Sequence, residues 1–283
     1  MTKQKRTMIS ILLRYAVLIA VGFVMLYPLL WMFFATFKSN SEMFGSISLI
    51  PKEWDFSGYQ SFGKMVGGQI NLPLAMLNTY KIVLPKMVFT VISSTIVAYG
   101  FAKFKFPGKK ILFAIMLSTL FLPQVVLNAP QYVMFNSWGW INSYKPLIIP
   151  SLFATDTYFV FLLIQFARGI PIEIEEAAYI DGANIPKTLW FVAVPMLKPA
   201  IVSCALFTFM WSSNDFMGPL VYLKNVRNYP VSIFLKLTMD TDTGTSWNRI
   251  LAASLVAIIP SLLVFFLAQK SFVEGVSAGS VKG

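Results

Sequence analysis

Two acidic residues stand inside otherwise apolar runs of this sequence, Asp156 and Asp215, and the second has neighbours that give it chemistry. Trp211 precedes Asp215 by four residues, and Asn214 lies beside it. On a helix, residues four apart share a face, so the indole and the carboxylate would project together. A ring face, a carboxylate and a carboxamide suit a ligand that offers both apolar faces and hydroxyls. A second reading makes Asp215 a structural tie, hydrogen-bonded to another helix. Both readings share one constraint. An unpaired carboxylate in an apolar medium costs at least several kcal/mol, so Asp215 faces a polar partner, the interior or a water-filled cavity.

A second group of chemistry-bearing residues runs from Arg168 to Lys187 and reads as a helix, a glycine break and another helix. Gly169 ends the preceding helix, and Pro171 suits a first turn. Glu173, Glu175 and Glu176 complement the positive end of the helix dipole. Ile170, Ile174, Ala177, Ala178 and Ile180 form one apolar face at helical spacing. Gly182 permits a left-handed cap, and Asn184 with Pro186 can start the next helix. That helix carries Leu189-Trp190-Phe191-Val192 and stops near Pro195. Such a two-helix knob projects and docks into a partner. The alternative, an amphipathic helix lying on lipid, is opposed by the three glutamates, which an anionic leaflet repels.

The elements that hold these groups are set by composition. Of 283 residues, 57% are hydrophobic and 12% charged, with 26 Phe, 14 Met and 7 Trp; mean hydropathy is +0.68. A soluble domain carries roughly 25% charged residues and needs a polar shell, so the chain is an integral membrane protein. With no His and a single Cys, Cys204, no His/Cys metal site, Cys–His nucleophile or intrachain disulfide can be built. The net charge of +11 comes from Lys and Arg at the ends of apolar runs. That is the orientation signal of membrane proteins rather than a nucleic-acid surface. The apolar run Tyr15–Phe37 is longer than a signal-peptide core, and no small-residue cleavage site follows; it reads as a retained span.

A helix needs about 20 residues to cross the hydrocarbon core. Six spans are expected: residues 15–37; 87–102, with Lys86 and Lys81 snorkelling at the far interface; a helix from Ile111 to about Val126, within an uncharged run to Tyr144 that Pro123 and Pro130 interrupt; Pro146–Arg168; Pro199–Leu223; and Ile250–Gln269. The fold class is all-α and polytopic. Domain bounds follow as a cytoplasmic N-terminus (1–14), a first span (15–37), an extracytoplasmic loop (38–80), a core of five helices (81–273) with the knob at 168–198, and a cytoplasmic tail (274–283). Lys103, Lys105, Lys109 and Lys110 crowd one short loop, which the positive-inside rule places in the cytoplasm, with both termini. Trp138, Trp140 and Tyr144 read as an interfacial belt. Asp240-Thr241-Asp242-Thr243-Gly244 lacks the spacing and terminal Glu of a calcium loop and reads as a solvated turn.

A family resemblance rests on these residues. Glu176-Ala177-Ala178, Gly182, Val192, Val194 and Pro195 resemble the EAA loop of permease subunits in bacterial ABC importers, with Val at its two apolar positions. Phe209–Leu220, containing Trp211, Asn214, Asp215 and Pro219, resembles the fifth-span motif of carbohydrate permeases. The tail Phe272–Gly283 resembles the C-terminus of the maltose-permease G-subunit type. The resemblance implies a non-catalytic subunit in the bacterial inner membrane, paired with a second homologous permease and served by two ATP-binding subunits. An extracytoplasmic solute-binding protein would deliver a sugar, more an oligosaccharide than a monosaccharide. It implies that Glu176, Ala177, Ala178, Asp181, Gly182 and Pro195 couple to the ATPases, and that Gly279, Val281 and Lys282 reach between them. Trp211, Asn214 and Asp215 would line the substrate pathway.

The chain has no Walker A motif, so ATP and magnesium would be bound by the partner subunits; no cofactor and no metal are expected on this chain. Alternatives are an ion-coupled secondary transporter, an EAA-loop importer for a non-sugar solute, and a non-transport membrane scaffold. Ion coupling fits poorly, because such transporters place ionisable residues in several spans, and here only Asp156 and Asp215 qualify.

Overall fold

The computed structural model describes residues 3–241 and 246–280, and every regular element among them is a helix. The chain forms two compact units, residues 1–66 with 235–258, and residues 67–234 with 259–283.

In the first unit, α1 (Lys3–Ala35) is long enough to cross a membrane, and its apolar side chains from Ile11 to Leu30 stand exposed apart from single half-buried positions. An apolar helix uncovered on all sides belongs in lipid or against another membrane helix. Its C-terminal end leads into a folded cap. Phe37 stacks on Tyr59 with ring centroids 5.2 Å apart, and the Tyr59 hydroxyl lies 2.9 Å from that of Thr36. Lys38 is buried and donates to the Ser48 carbonyl. The Asn248 amide donates to Asp55 and Ser57, both at 3.0 Å. A Cβ on Gly58 would stand 2.9 Å from the Asn248 carbonyl oxygen, so only glycine admits this close approach.

The second unit is built around α2 (Leu72–Lys103), capped by the Asn71 side chain, which accepts from the Leu74 N–H at 3.1 Å. Against α2 pack α5 (Thr157–Arg168) and α8 (Lys198–Ser213). Their shared core holds Ala98, Phe159, Val160, Leu163, Ile164, Ala200 and Cys204. The small residues Ala98, Ala200 and Cys204 let the backbones approach, which is how membrane helices gain dispersion energy when lipid supplies no hydrophobic drive. Between α2 and α5, α3 (Lys109–Thr119) and α4 (Gln124–Ser137) meet at a 103° bend.

Among the described residues four segments are long and apolar enough to span a membrane: Ile11–Ala35, Leu72–Lys103, Lys145–Arg168 and Trp247–Lys270. Counting the bent pairs α3 with α4, and Ile185–Met196 with α8, gives six. Several boundaries differ from the sequence reading. The loop expected at 38–80 gives way to helix at Leu72, and α2 continues unbroken through Lys81, Pro85 and Lys86. The third run breaks at Leu120–Pro123, not near Val126, because proline lacks an N–H and disfavours helix in the residue before it. Pro130, expected to interrupt, sits inside α4. Asp156 lies at the N-cap of α5, after a 3₁₀ turn (Ile149–Phe153), rather than inside a straight span. After α10 (Val231–Thr241), the last helix, α11 (Trp247–Ser280), runs through the tail expected from residue 274.

Candidate functional site

The knob read from sequence folds as two short helices. Pro171 precedes α6 (Ile172–Ile180), and Glu173 and Glu175 fall in its first turn. The helix ends in a Schellman motif: the Ala183 N–H donates to the Ala178 carbonyl at 2.9 Å and the Gly182 N–H to that of Tyr179 at 3.0 Å. Gly182 takes φ +83°, as the left-handed cap demands. The Asn184 side chain then accepts from the Lys187 N–H at 3.1 Å and opens α7 (Ile185–Thr188). A π-helical turn, Leu189–Ala193, carries the chain on to Val194–Met196, and a 78° bend turns it into α8.

The two faces of this element differ. On its inner side Ile170, Leu189, Ala193 and Leu197 pack with Tyr99 of α2 and Ala167 of α5. On its outer side Ile172, Glu176, Ala177, Asp181, Gly182, Ile185, Phe191 and Pro195 are exposed, and Ala178 is half-buried. The expected apolar face is therefore split: Ile170 packs inward, while Ile174, Ala177 and Ile180 stay exposed, Ile180 with 86% of its surface. Of the three glutamates only Glu175 turns inward, 5% exposed, and its carboxylate meets the Lys103 ammonium at 3.2 Å. Lys103 also donates to the Ile170 carbonyl at 2.7 Å. This pair was missed in the sequence because nothing in the local pattern links a lysine ending one helix to a glutamate in a distant loop.

The second cluster lies around Asp215. Helix α8 stops at Ser213, Asn214 is its cap residue, and Asp215 sits in the break before α9 (Met217–Tyr222). The assumption of one helix through Trp211 and Asp215 fails there, and with it the shared face. Asp215 accepts from the Gly218 N–H at 3.1 Å, and the Ser232 hydroxyl donates to the Asp215 carbonyl at 2.7 Å. A side chain at Gly218 would meet the Asp215 carboxylate at 2.6 Å. Asp215 thereby lines a small cleft with Thr79, Lys86, Ser212 and Pro230. Lys86, expected to snorkel at an interface, sits inside α2 and is the cation lining this cleft.

Trp211 is not among the cleft residues. It lies against Phe207 (5.4 Å between centroids), Phe159 (5.3 Å) and Tyr158 (5.5 Å), with 53% of its surface exposed. Asn214 is exposed and donates to the Met210 carbonyl at 2.8 Å. No cluster of metal-binding side chains occurs among the described residues. In the tail, Gly279 lies in α11, while Val281 and Lys282 fall outside the described residues, as do residues 242–244 of the Asp240–Gly244 segment.

Residues 90–277 match the family described as "Binding-protein-dependent transport system inner membrane component". The chain is 28% identical over 269 residues to the trehalose/maltose transport system permease protein MalG of Thermococcus litoralis, with 95% of each chain covered. It is 29% identical to the galactooligosaccharides transport system permease protein GanQ of Bacillus subtilis, with 98% of each covered. Among solved structures it superposes with TM-score 0.77 on a chain of a bacterial ABC transporter involved in the import of the acidic polysaccharide alginate. That match covers 96% of this chain and 99% of the other at 23% identity, and it speaks for the fold.

Proposed function

The chain belongs to the family of binding-protein-dependent transport system inner membrane components, and from that premise we propose that it is the permease subunit of an ATP-driven importer carrying an oligosaccharide into the cytoplasm. The sugar class is supported by the named substrates of the relatives, trehalose/maltose and galactooligosaccharides. The observation that carries the coupling role is the knob of residues 171–196, anchored at its base and uncovered on its outer face. Covering its exposed Ile172, Ile180, Ile185 and Phe191 regains part of the roughly 1.5–3 kcal/mol that full burial of such a side chain is worth. That favours docking on an ATPase subunit, with Glu176 exposed for a charge-assisted contact.

On this reading the complex contains a second, homologous permease, two ATP-binding subunits that hold ATP and magnesium, and an extracytoplasmic solute-binding protein. Both termini and the Lys103–Lys110 loop are cytoplasmic, and the tail, with Gly279, Val281 and Lys282, reaches the ATPases. The membrane subunit performs no bond chemistry. Closure of the ATPases moves the knob, and the helices bolted to it open the pathway to the other side. Asp215, with Lys86, Thr79 and Ser212 beside it, supplies charge and hydroxyls to that pathway, and Trp211 and Asn214 contact the sugar elsewhere along it.

The test is reconstitution of the complete complex in vesicles with its binding protein. ATP-dependent, vanadate-sensitive uptake of an oligosaccharide is expected. Uptake driven by a proton or sodium gradient without ATP would overturn the reading.

A further inference from the structure

We propose that Lys103 and Glu175 form a coupling clamp, a pair of positioning residues that makes α2 follow the knob; the proposal rests on the importer reading above. Lys103 is the last residue of α2, and its ammonium spans two points of the knob, the Ile170 carbonyl at its entry and the Glu175 carboxylate inside α6. Both side chains are nearly dry, 10% and 7% exposed. One turn earlier on α2, Tyr99 is buried with its ring in the same packed base.

A buried ion pair is a poor choice for stability alone. Its desolvation cost cancels most of its attraction, and a well-packed apolar pair holds as firmly. What the pair adds is a defined register: apolar packing permits sliding, whereas an ammonium that donates to the Ile170 carbonyl and is ion-paired with Glu175 fixes the start of the knob against the end of α2. The second half of the argument lies farther up the same helix. Lys86 of α2 lines the cleft with Asp215, and 17 residues of helix separate it from Lys103, about 26 Å of rise. A shift of α6 is thus delivered, through one rigid element, to the polar cleft.

The clamp is tested in the reconstituted complex by the coupling ratio, sugar molecules imported per ATP hydrolysed. Glu175→Gln and Lys103→Met should each lower this ratio about tenfold, inside the range usual for coupling free energies, while ATP hydrolysis continues. The exchanged pair, Lys103→Glu with Glu175→Lys, restores the ion pair but not the donation to the Ile170 carbonyl, so it should recover part of the loss, which a merely structural role for either group does not predict. Should Glu175→Gln fail to assemble, Glu175→Asp replaces it, since withdrawing the carboxylate by one methylene also breaks the register. Single variants with a wild-type ratio, or an exchanged pair as uncoupled as the singles, would overturn the clamp. Absence of ATP-driven uptake by the wild type would instead overturn the importer reading, and the clamp with it.

Discussion

The Thr90 hydroxyl donates to the Asp156 carboxylate at 2.7 Å and ties the middle of α2 to the N-cap of α5. Thr90 is fully buried and Asp156 half-buried, so the bond is partly shielded from solvent. Interhelical hydrogen bonds in membrane proteins average about 0.6 kcal/mol and reach about 1.7, and a charged acceptor lies at the strong end. Thr90→Val keeps the shape and removes the donor. It should cost about 1–2 kcal/mol, seen as a lower unfolding temperature of the purified complex in detergent. An unchanged transition would mean that Asp156 finds an equal partner elsewhere.

Gly182 separates conformation from crowding. Its φ is +83°, yet an added Cβ would meet nothing within 4 Å. The restriction is therefore in the backbone alone, and Asn, which tolerates the left-handed region, should replace it at little cost. Gly182→Asn is expected to retain most transport, whereas Gly182→Val should lose it while the subunit still reaches the membrane. If Asn and Val behave alike, the cap geometry is not what docking requires.

The knob was legible in sequence because its signals are local. Proline, glycine and asparagine at set offsets specify caps and turns whatever surrounds them, and the Schellman motif at Gly182 and the cap at Asn184 form where those residues stand. The number of spans was legible for a similar reason, since hydropathy integrates over a whole helix. What failed was anything set by contact between distant segments. Lys86 and Lys103 look alike in a hydropathy profile, and only tertiary packing makes one the cation of a cleft and the other the partner of Glu175. The break after Ser213 was likewise hidden: the Asn214-Asp215-Phe216 stretch carries no proline, and the turn depends on Asp215 capping Gly218 and on Ser232 holding its carbonyl.

The orientation can be read directly in intact cells. Cys204 is buried, so its replacement by Ser gives a background for single cysteines. Cysteines at positions 108 and 184 should react with a permeant thiol reagent and stay silent to an impermeant one applied outside, as the basic cluster Lys103–Lys110 dictates. Labelling of either from outside would reverse the topology and remove the knob from reach of any cytoplasmic ATPase.

Asp215 and Trp211 can now be tested as separate contributors, because the helix break puts them on different surfaces. Asp215→Asn keeps an acceptor for the Gly218 N–H and removes only the charge facing the cleft. Its effect should therefore fall on transport rather than folding. A lost hydrogen bond to a charged group is worth about 1.5–3 kcal/mol, and the half-exposed position argues for the low end, so the half-saturating sugar concentration should rise about tenfold. Trp211→Ala removes a ring packed on Phe207, Phe159 and Tyr158. Full truncation of a core Trp costs about 3–5 kcal/mol, and with half the ring exposed about half of that is expected, together with a change in which sugars stimulate ATP hydrolysis. Both quantities are measurable on one preparation, the first by thermal unfolding and the second by sugar-stimulated hydrolysis with loaded binding protein. Wild-type transport by Asp215→Asn would leave that carboxylate a structural cap. A Trp211→Ala complex that is merely less stable, with unchanged sugar preference, would return the indole to helix packing.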